Sequence, residues 1–332
     1  MTAQTLAGFA VTTGTLTAVP GSPYTLGFTP VSVAINPANT IVFVSGHDNH
    51  GIGAIYAYSI EAGGALSVLD NGYAVSSGTE EISMDISPDG QWLIGLNANN
   101  LTLDEFQINS ITGGLTGPTY MTYYNLVTGT VNASQVKVAP DGDLVFAALG
   151  TAGDMVYQLT TSTGVLTALS PLPPISQFAS DNALAVSSGS SYLYIARSGT
   201  NGGLAVYSIS SSGALQAVSG SPLAAGTQPT SVVVNTAGTD IYVANRNSGT
   251  ISQYGVATST GSVSLLSPPT VSVVSAPWAL AVDNSGDYLL SISGAGSPDL
   301  AMYNDSAGPL TFSTSAATGT DPTGPVAIAT TH

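Results

Sequence analysis

The chain has no cysteine in its 332 residues. Disulfides, thiolate nucleophiles and Cys-ligated metals are therefore excluded, and the redox compartment stays open. Cations are almost as scarce: Lys and Arg total 3 against 19 Asp and Glu, a net charge of −16. Phosphate backbones and anionic lipid need clustered cations, so neither nucleic acid nor a membrane surface is an expected partner. Charged residues of both signs make up only 7%, far below the roughly 25% of ordinary soluble domains. The acidic charge is spread thinly, which reads as solubility rather than as an acidic tail. No stretch approaches the ~20 apolar residues of a membrane-spanning helix. Met1–Gln4 leads straight into a strand-like pattern, so an exported form is expected to have lost its signal. The Lys-poor surface, rich in Ser, Thr, Gly and Asn, gives the expectation of an extracellular or cell-surface protein.

What is present is a repeat. Six similar turns follow short apolar runs: Asn36-Pro37-Ala38-Asn39, Ser87-Pro88-Asp89-Gly90, Ala139-Pro140-Asp141-Gly142, Ser187-Ser188-Gly189-Ser190, Asn235-Thr236-Ala237-Gly238 and Asp283-Asn284-Ser285-Gly286. Their second residues are 51, 52, 48, 48 and 48 positions apart. Each unit has an inner strand (Val31–Ile35, Ser231–Val234), a tight turn and a β-branched or aromatic second strand (Ile41–Val44, Tyr192–Ile195). A third strand alternating apolar and polar follows, as in Leu204–Ile209, then a Gly turn and an outer strand. A period near 50 residues with four strands per unit indicates an all-β propeller with four-stranded antiparallel blades.

One domain over 1–332 is expected, with seven blades. They run 29–79, 80–131, 132–179, 180–227, 228–275 and 276–321, and the seventh is shared by 1–28 and 322–332. In that seventh blade Pro325–Ala329 reads as the inner strand, Thr5–Ala10 as the third and Gly14–Val19 as the fourth. The second strand has no counterpart. Three readings stay open: a trimmed chain, a three-stranded blade, or a strand supplied by another molecule through self-association at the open edge.

The second strands carry a further signal. Ile241-Tyr242-Val243-Ala244-Asn245, with Tyr192-Leu193-Tyr194-Ile195-Ala196 as a looser copy, resembles the YVTN-type repeat. Together with Ala34-Ile35-Asn36-Pro37, Gly213-Ala214-Leu215 and Gly220-Ser221-Pro222, the pattern resembles the bacterial lactonase family of seven-bladed propellers. That family includes 6-phosphogluconolactonases, fungal carboxymuconate cyclases and many secreted or surface members without assigned activity. The resemblance spans essentially the whole chain and rests on strand and turn residues.

Scarce charge makes candidate site residues easy to find. Arg197 and Arg246 fall in the loops after the second strands of blades four and five, and His47, Asp48 and His50 in that loop of blade one. Glu80 and Glu81 fall in the connection entering blade two. All map to the face where propellers collect their longer loops and ligands. Arg197 and Arg246 are candidates for clamping a carboxylate, with His47, His50 or Glu81 as acid/base. These residue types agree with what the family resemblance implies. The competing reading has the arginines bracing loops against carboxylates, with His and Glu merely solvated.

His47-x-x-His50 is weak as a metal motif, and no metal or cofactor is expected. Asp85 and Lys137 fall on adjacent inner strands, at the position of Ala34, Ala185, Val233 and Ala281. A buried ion pair lining the axial channel is expected there.

Two functions remain open on sequence alone. One is an extracellular binding, adhesion or assembly module whose partner is a protein or glycan. The other is a lactonase-like hydrolase or cyclase acting on a small carboxylated lactone.

Overall fold

In a computed structural model the described residues are 4–69, 75, 80–97, 99–123, 131–169, 178–257, 260–273, 276–294, 296–305, 308–319 and 327–332. They form an all-β propeller with six complete four-stranded antiparallel sheets, each built from strands consecutive in sequence. The first sheet comprises Thr29–Ile35, Ile41–His47, Gly53–Ile60 and Leu66–Val68. The last comprises Pro277–Val282, Tyr288–Ser293, Leu300–Asn304 and Thr311–Ala316. Successive inner strands are neighbours around the axis. No helix among the described residues is long and apolar enough to cross a membrane.

Hydrophobic clusters sit between blades, as the strand alternation requires. Residues of one parity face the preceding blade and those of the other the following blade. Leu93 and Phe106 of blade two thus pack with Phe43 and Ile55 of blade one. Ile94 and Leu103 pack with Val145 and Tyr157 of blade three. The repeated turns are closed by their first residue. Asn36 Oδ1 accepts from the backbone N–H of Thr40 (2.9 Å) and Ile41 (2.8 Å), and Asn235 Oδ1 repeats this with Thr239 and Asp240.

The inner strands carry an irregularity at a fixed place. In blade one Pro30 faces Gly46 and Ser32 faces Ser45, so Val31 is an extra residue. The same bulge makes Ile82 extra in blade two, Asn182 in blade four, Thr230 in blade five and Trp278 in blade six. A bulge withdraws one residue from the ladder and re-aims its side chain. Ser134 occupies this place in blade three, just ahead of the inner strand Gln135–Val138.

The segment before blade one forms two ribbons. Phe9–Thr12 pairs with Thr15–Ala18, and Thr5–Leu6 pairs separately with Tyr24–Thr25. The sequence reading of Thr5–Ala10 as one strand is corrected here. The chain turns aside at Gly8, whose N–H donates to Ser22 Oγ (3.0 Å) and whose carbonyl accepts from Val19. The hairpin lies against blade six: Phe9, Val11 and Leu16 pack with Leu290, Leu300 and Met302, together with Ile328. The expected inner strand Pro325–Ala329 lies partly outside the described residues. Within 327–332, Thr330 Oγ1 donates to Val282 O of blade six, and His332 exchanges hydrogen bonds with Asn39 of blade one.

The Asp85–Lys137 pair forms, but not as a buried one. Nζ lies 3.6 Å from Asp85 Oδ2, and the Lys137 side chain is 37% exposed. The Asp85 carboxylate is instead held by the N–H groups of Val138 (2.9 Å) and Ile86 (3.1 Å). Two backbone donors satisfy the carboxylate, so the ammonium is free to stay hydrated.

A buried acid elsewhere has consequences for stability. Glu105, on the third strand of blade two, is fully enclosed and accepts one hydrogen bond, from Thr122 Oγ1 (2.8 Å). Burial raises its carboxyl from an ordinary 4.5 to about 7, with the Thr122 bond opposing and the Asp104 charge assisting. Between those values the unfolded chain ionises while the folded one stays protonated. Stability therefore falls as pH rises from about 4.5 to about 7 and is level above, a change on the order of 3 kcal/mol. Glu105→Gln removes this penalty, so its melting temperature should exceed wild type by more at pH 8 than at pH 5. A pH-independent difference in thermal denaturation would refute the assignment.

Candidate functional site at the channel mouth

The bulged residues define a ring. Val31, Ile82, Ser134, Asn182, Thr230 and Trp278 are spaced 51, 52, 48, 48 and 48 apart, the period of the turns. All are half-buried. Three reach around the ring to the next blade. Ser134 Oγ donates to Asp181 O (3.1 Å), Asn182 Nδ2 to Pro229 O (2.7 Å) and Thr230 Oγ1 to Pro277 O (3.4 Å). These contacts join neighbouring inner strands, so the bulged positions lie beside the ring axis at one end of the ring, its mouth, where the second strands finish.

Arg246 is held at this mouth. It follows Asn245, which faces Pro229 across the strand pair, and its N–H donates to Gln228 O (2.9 Å). Its guanidinium carbon lies 3.7 Å from the ring centroid of Trp278, a cation–π stack. Among the described residues no carboxylate lies in ion-pair range of Arg246. Stacking fixes the plane of the guanidinium while leaving its N–H edge available to an anion.

His47 stands at the matching place in blade one, following Gly46, which faces Pro30. Its Nδ1 meets Glu80 Oε2, and both side chains are partly exposed. An ionised carboxylate only accepts, so Nδ1 carries the hydrogen and Nε2 of the neutral ring offers its lone pair. This is the orientation in which a carboxylate holds a general-base imidazole.

The other three expected site residues go elsewhere. Arg197 is not a clamp. It lies within the second strand Tyr192–Gly199, directly opposite Asp181, and is 8% exposed. Nε donates to Asp181 Oδ1 (2.6 Å), Nη2 to Oδ2 (2.8 Å), and Tyr207 Oη adds a longer contact at 3.4 Å. Burial alone would lower the guanidinium, but Asp181 outweighs it and the net direction is upward. Asp154 of blade three completes the cluster. It is fully enclosed, and burial with the neighbouring Asp181 charge raises its carboxyl well above the usual range. Arg197 thus ties the second strand to the inner strand of its own blade, beside Asp154 of blade three.

Glu81 is not a solvated loop residue. It opens the inner strand Glu81–Ile86, is fully buried and packs on Gly95, where any Cβ would meet its carboxylate at 2.6 Å. Asn97 faces it across the strands and donates to Asp104 Oδ2 (3.2 Å). His50 points outward, 83% exposed, with its ring 3.4 Å from Asp48 of its own loop. His47 and His50 thus turn to different carboxylates and do not converge on a metal.

Sequence reasoning missed Trp278, Asn182 and Thr230. The signal was available in the 48-residue register that located the turns. Asp181 and Asp154 had no such signal, because only the fold shows that they meet Arg197.

Residues 154–279 match the family model described as Lactonase, 7-bladed beta-propeller. The resemblance to the lactonase-like propellers therefore stands, on about two and a half of the repeats. No curated protein matches the sequence. Similar solved structures include the periplasmic gluconolactonase PpgL of Pseudomonas aeruginosa, with 18% identity, 89% of this chain and 87% of that one covered, and TM-score 0.72. A putative 6-phosphogluconolactonase of Bacteroides fragilis has 17% identity, 83% and 79% coverage and TM-score 0.68. A functionally unknown protein of Desulfotomaculum acetoxidans has 15% identity, 94% and 92% coverage and TM-score 0.69. At these identities the likeness is one of fold.

Truncating Arg197 strands the buried Asp181 carboxylate beside the buried Asp154. Arg197→Leu should cost about 3–5 kcal/mol and lower the melting temperature sharply. Arg246→Ala should leave it within a degree or two. Comparable losses in differential scanning calorimetry would contradict this division of roles.

Proposed function

We propose that the chain is a lactonase-like hydrolase acting on a small carboxylated lactone at the channel mouth of a seven-bladed ring whose termini share the seventh blade. The observation that carries this reading is Arg246: it stacks on Trp278 at the mouth with no carboxylate partner among the described residues, whereas Arg197 and Lys137 each lie beside an aspartate. A lone oriented guanidinium in a protein of net charge −16 is suited to one carboxylate. His47, held by Glu80, is the base. Nε2 takes a proton from water, the hydroxide adds to the lactone carbonyl, and the ring C–O bond breaks. The proton then returns from the imidazolium to the leaving alkoxide. The names of the similar structures, gluconolactonase among them, favour lactone chemistry by analogy of fold. The ring closure is supported by the hairpin packed on blade six and by the His332–Asn39 contact with blade one.

The test is a pH-stat screen of carboxylated lactones. Arg246→Ala should lower kcat/KM by about 100-fold, mainly through KM, and His47→Ala should lower kcat by 10²–10⁴. A wild-type protein that opens no carboxylated lactone above the buffer rate would sink the reading.

A second reading rests on the N-terminal hairpin Phe9–Thr12/Thr15–Ala18, a two-stranded ribbon beside blade six. An incomplete blade offers an edge for strand addition by another copy, which would make the protein a self-assembling or adhesive module. Its composition suits secretion or the cell surface. Sedimentation at rising concentration should then show growing species, and a concentration-independent monomer removes this reading.

A further inference from the structure

The mouth has two unlike arcs. Ser134, Asn182 and Thr230 form a continuous polar arc across blades three to five. Trp278, Val31 and Ile82 occupy the same repeat position in blades six, one and two, and are apolar. Val31 and Trp278 are half-buried and lie outside the hydrophobic clusters of the described residues, whereas Ile82 packs partly on the core between blades two and three and adds only its remaining surface to the arc. The apolar arc flanks both chemical groups. Trp278 carries Arg246 on its ring, and Val31 and Ile82 lie on the two inner strands beside the His47–Glu80 pair.

The polar arc is already tied to the protein by one donated hydrogen bond from each residue. Asn182 donates to Pro229 O and accepts from Ser180 Oγ (2.9 Å), so both ends of its amide are engaged. Ser134 and Thr230 direct their hydroxyl hydrogens at backbone carbonyls. Their hydroxyl oxygens and the second N–H of Asn182 can still meet a ligand, but among the described residues of the mouth the one unpaired charge is Arg246. A polyhydroxylated sugar lactone carries several hydroxyls, and each one taken from water without a partner is costly. An apolar body loses nothing on leaving water and gains from contact with Val31, Ile82 and Trp278.

We infer that the ligand of this mouth is an amphipathic carboxylate: one carboxyl group for Arg246 and an apolar, largely unhydroxylated body for the Val31–Ile82–Trp278 arc. The inference rests on the proposed function for the location of the site and deepens it by naming the substrate class. Val31, Ile82 and Trp278 are then specificity residues.

Binding and turnover are measured separately. Binding is followed on the full chain by tryptophan fluorescence with cyclohexanecarboxylate and with gluconate as probes, using Trp278→Phe to assign the signal. Cyclohexanecarboxylate should bind at least tenfold more tightly than gluconate. Val31→Asn and Ile82→Asn should each narrow that ratio several-fold, while Arg246→Ala should weaken both probes together. Melting temperatures close to wild type would show that these variants fold. Equal or tighter gluconate binding, binding of neither probe, or a ratio untouched by both Asn variants would overturn the inference. Turnover is then read on an alkyl-substituted and a polyhydroxylated carboxylated lactone. The expected selectivity in binding without hydrolysis of either would overturn the lactonase reading and leave this inference standing. Hydrolysis that favours the polyhydroxylated lactone would do the reverse.

Discussion

Inner strands of neighbouring blades cannot pair into one sheet, so the centre of the ring depends on side chains that cross between strands. They do so at fixed repeat positions. Ser32 Oγ accepts from Met84 N–H, Ser83 Oγ from Val136 N–H, Gln135 Oε1 from Leu184 N–H and Ser231 Oγ from Leu280 N–H, at 2.6–3.2 Å. Each acceptor stands just after the bulged place in its blade. The extra residue is what sets this parity, since a slip of one flips every following side chain to the other face. It turns the next side chain to the neighbouring blade and its own side chain to the mouth. Lateral cohesion and the lining of the candidate site are therefore two results of one backbone irregularity.

Charge is distributed with the same economy. The chain has three Lys and Arg residues. One neutralises a carboxylate between blades three and four, beside Asp154, whose carboxyl burial pushes well above the usual range. One rests loosely against an aspartate that backbone amides already satisfy. The third is stacked on an indole at the mouth. Arg197 and Arg246 differ by one place in the repeat. Arg197 occupies the site facing the residue before the bulge, where Asp181 waits across the strand. Arg246 occupies the next site, past the ladder. One position is interior and the other is rim.

That single step marks how far the sequence could be read. Period, turn chemistry and strand alternation carried the propeller and its four-stranded blades, because each is a local pattern repeated six times. The site was half legible. Arg246 and His47 stood out because charge is rare, and both are at the rim. Glu81 and Arg197 stood out for the same reason but are buried, because the strands run one or two residues further than apolar periodicity suggests. The fate of Asp85 and Lys137 was misjudged on a different ground. Their position on the inner strand is correct, but the aspartate there is satisfied by one amide of its own strand and one of the next, so the lysine is not drawn into the interior. The bulge itself leaves almost no local trace. It appears in sequence only as the register shared by Asn182, Thr230 and Trp278.

The overall charge bears on what the mouth can hold. A field of many dispersed carboxylates slows the approach of any anion, and more so at low salt. Long-range steering thus works against a carboxylated ligand, and retention must come from contacts made after arrival. One bidentate guanidinium supplies orientation but modest affinity where solvent reaches it. The apolar surface of Trp278, Val31 and Ile82 is insensitive to the sign of the charge, and burying it is the remaining source of affinity. A dianion meets twice the repulsion and finds one guanidinium, whereas a monocarboxylate with an apolar body meets the least and uses the whole rim. The scarcity of cations and the division of the mouth into two arcs therefore point to the same class of ligand.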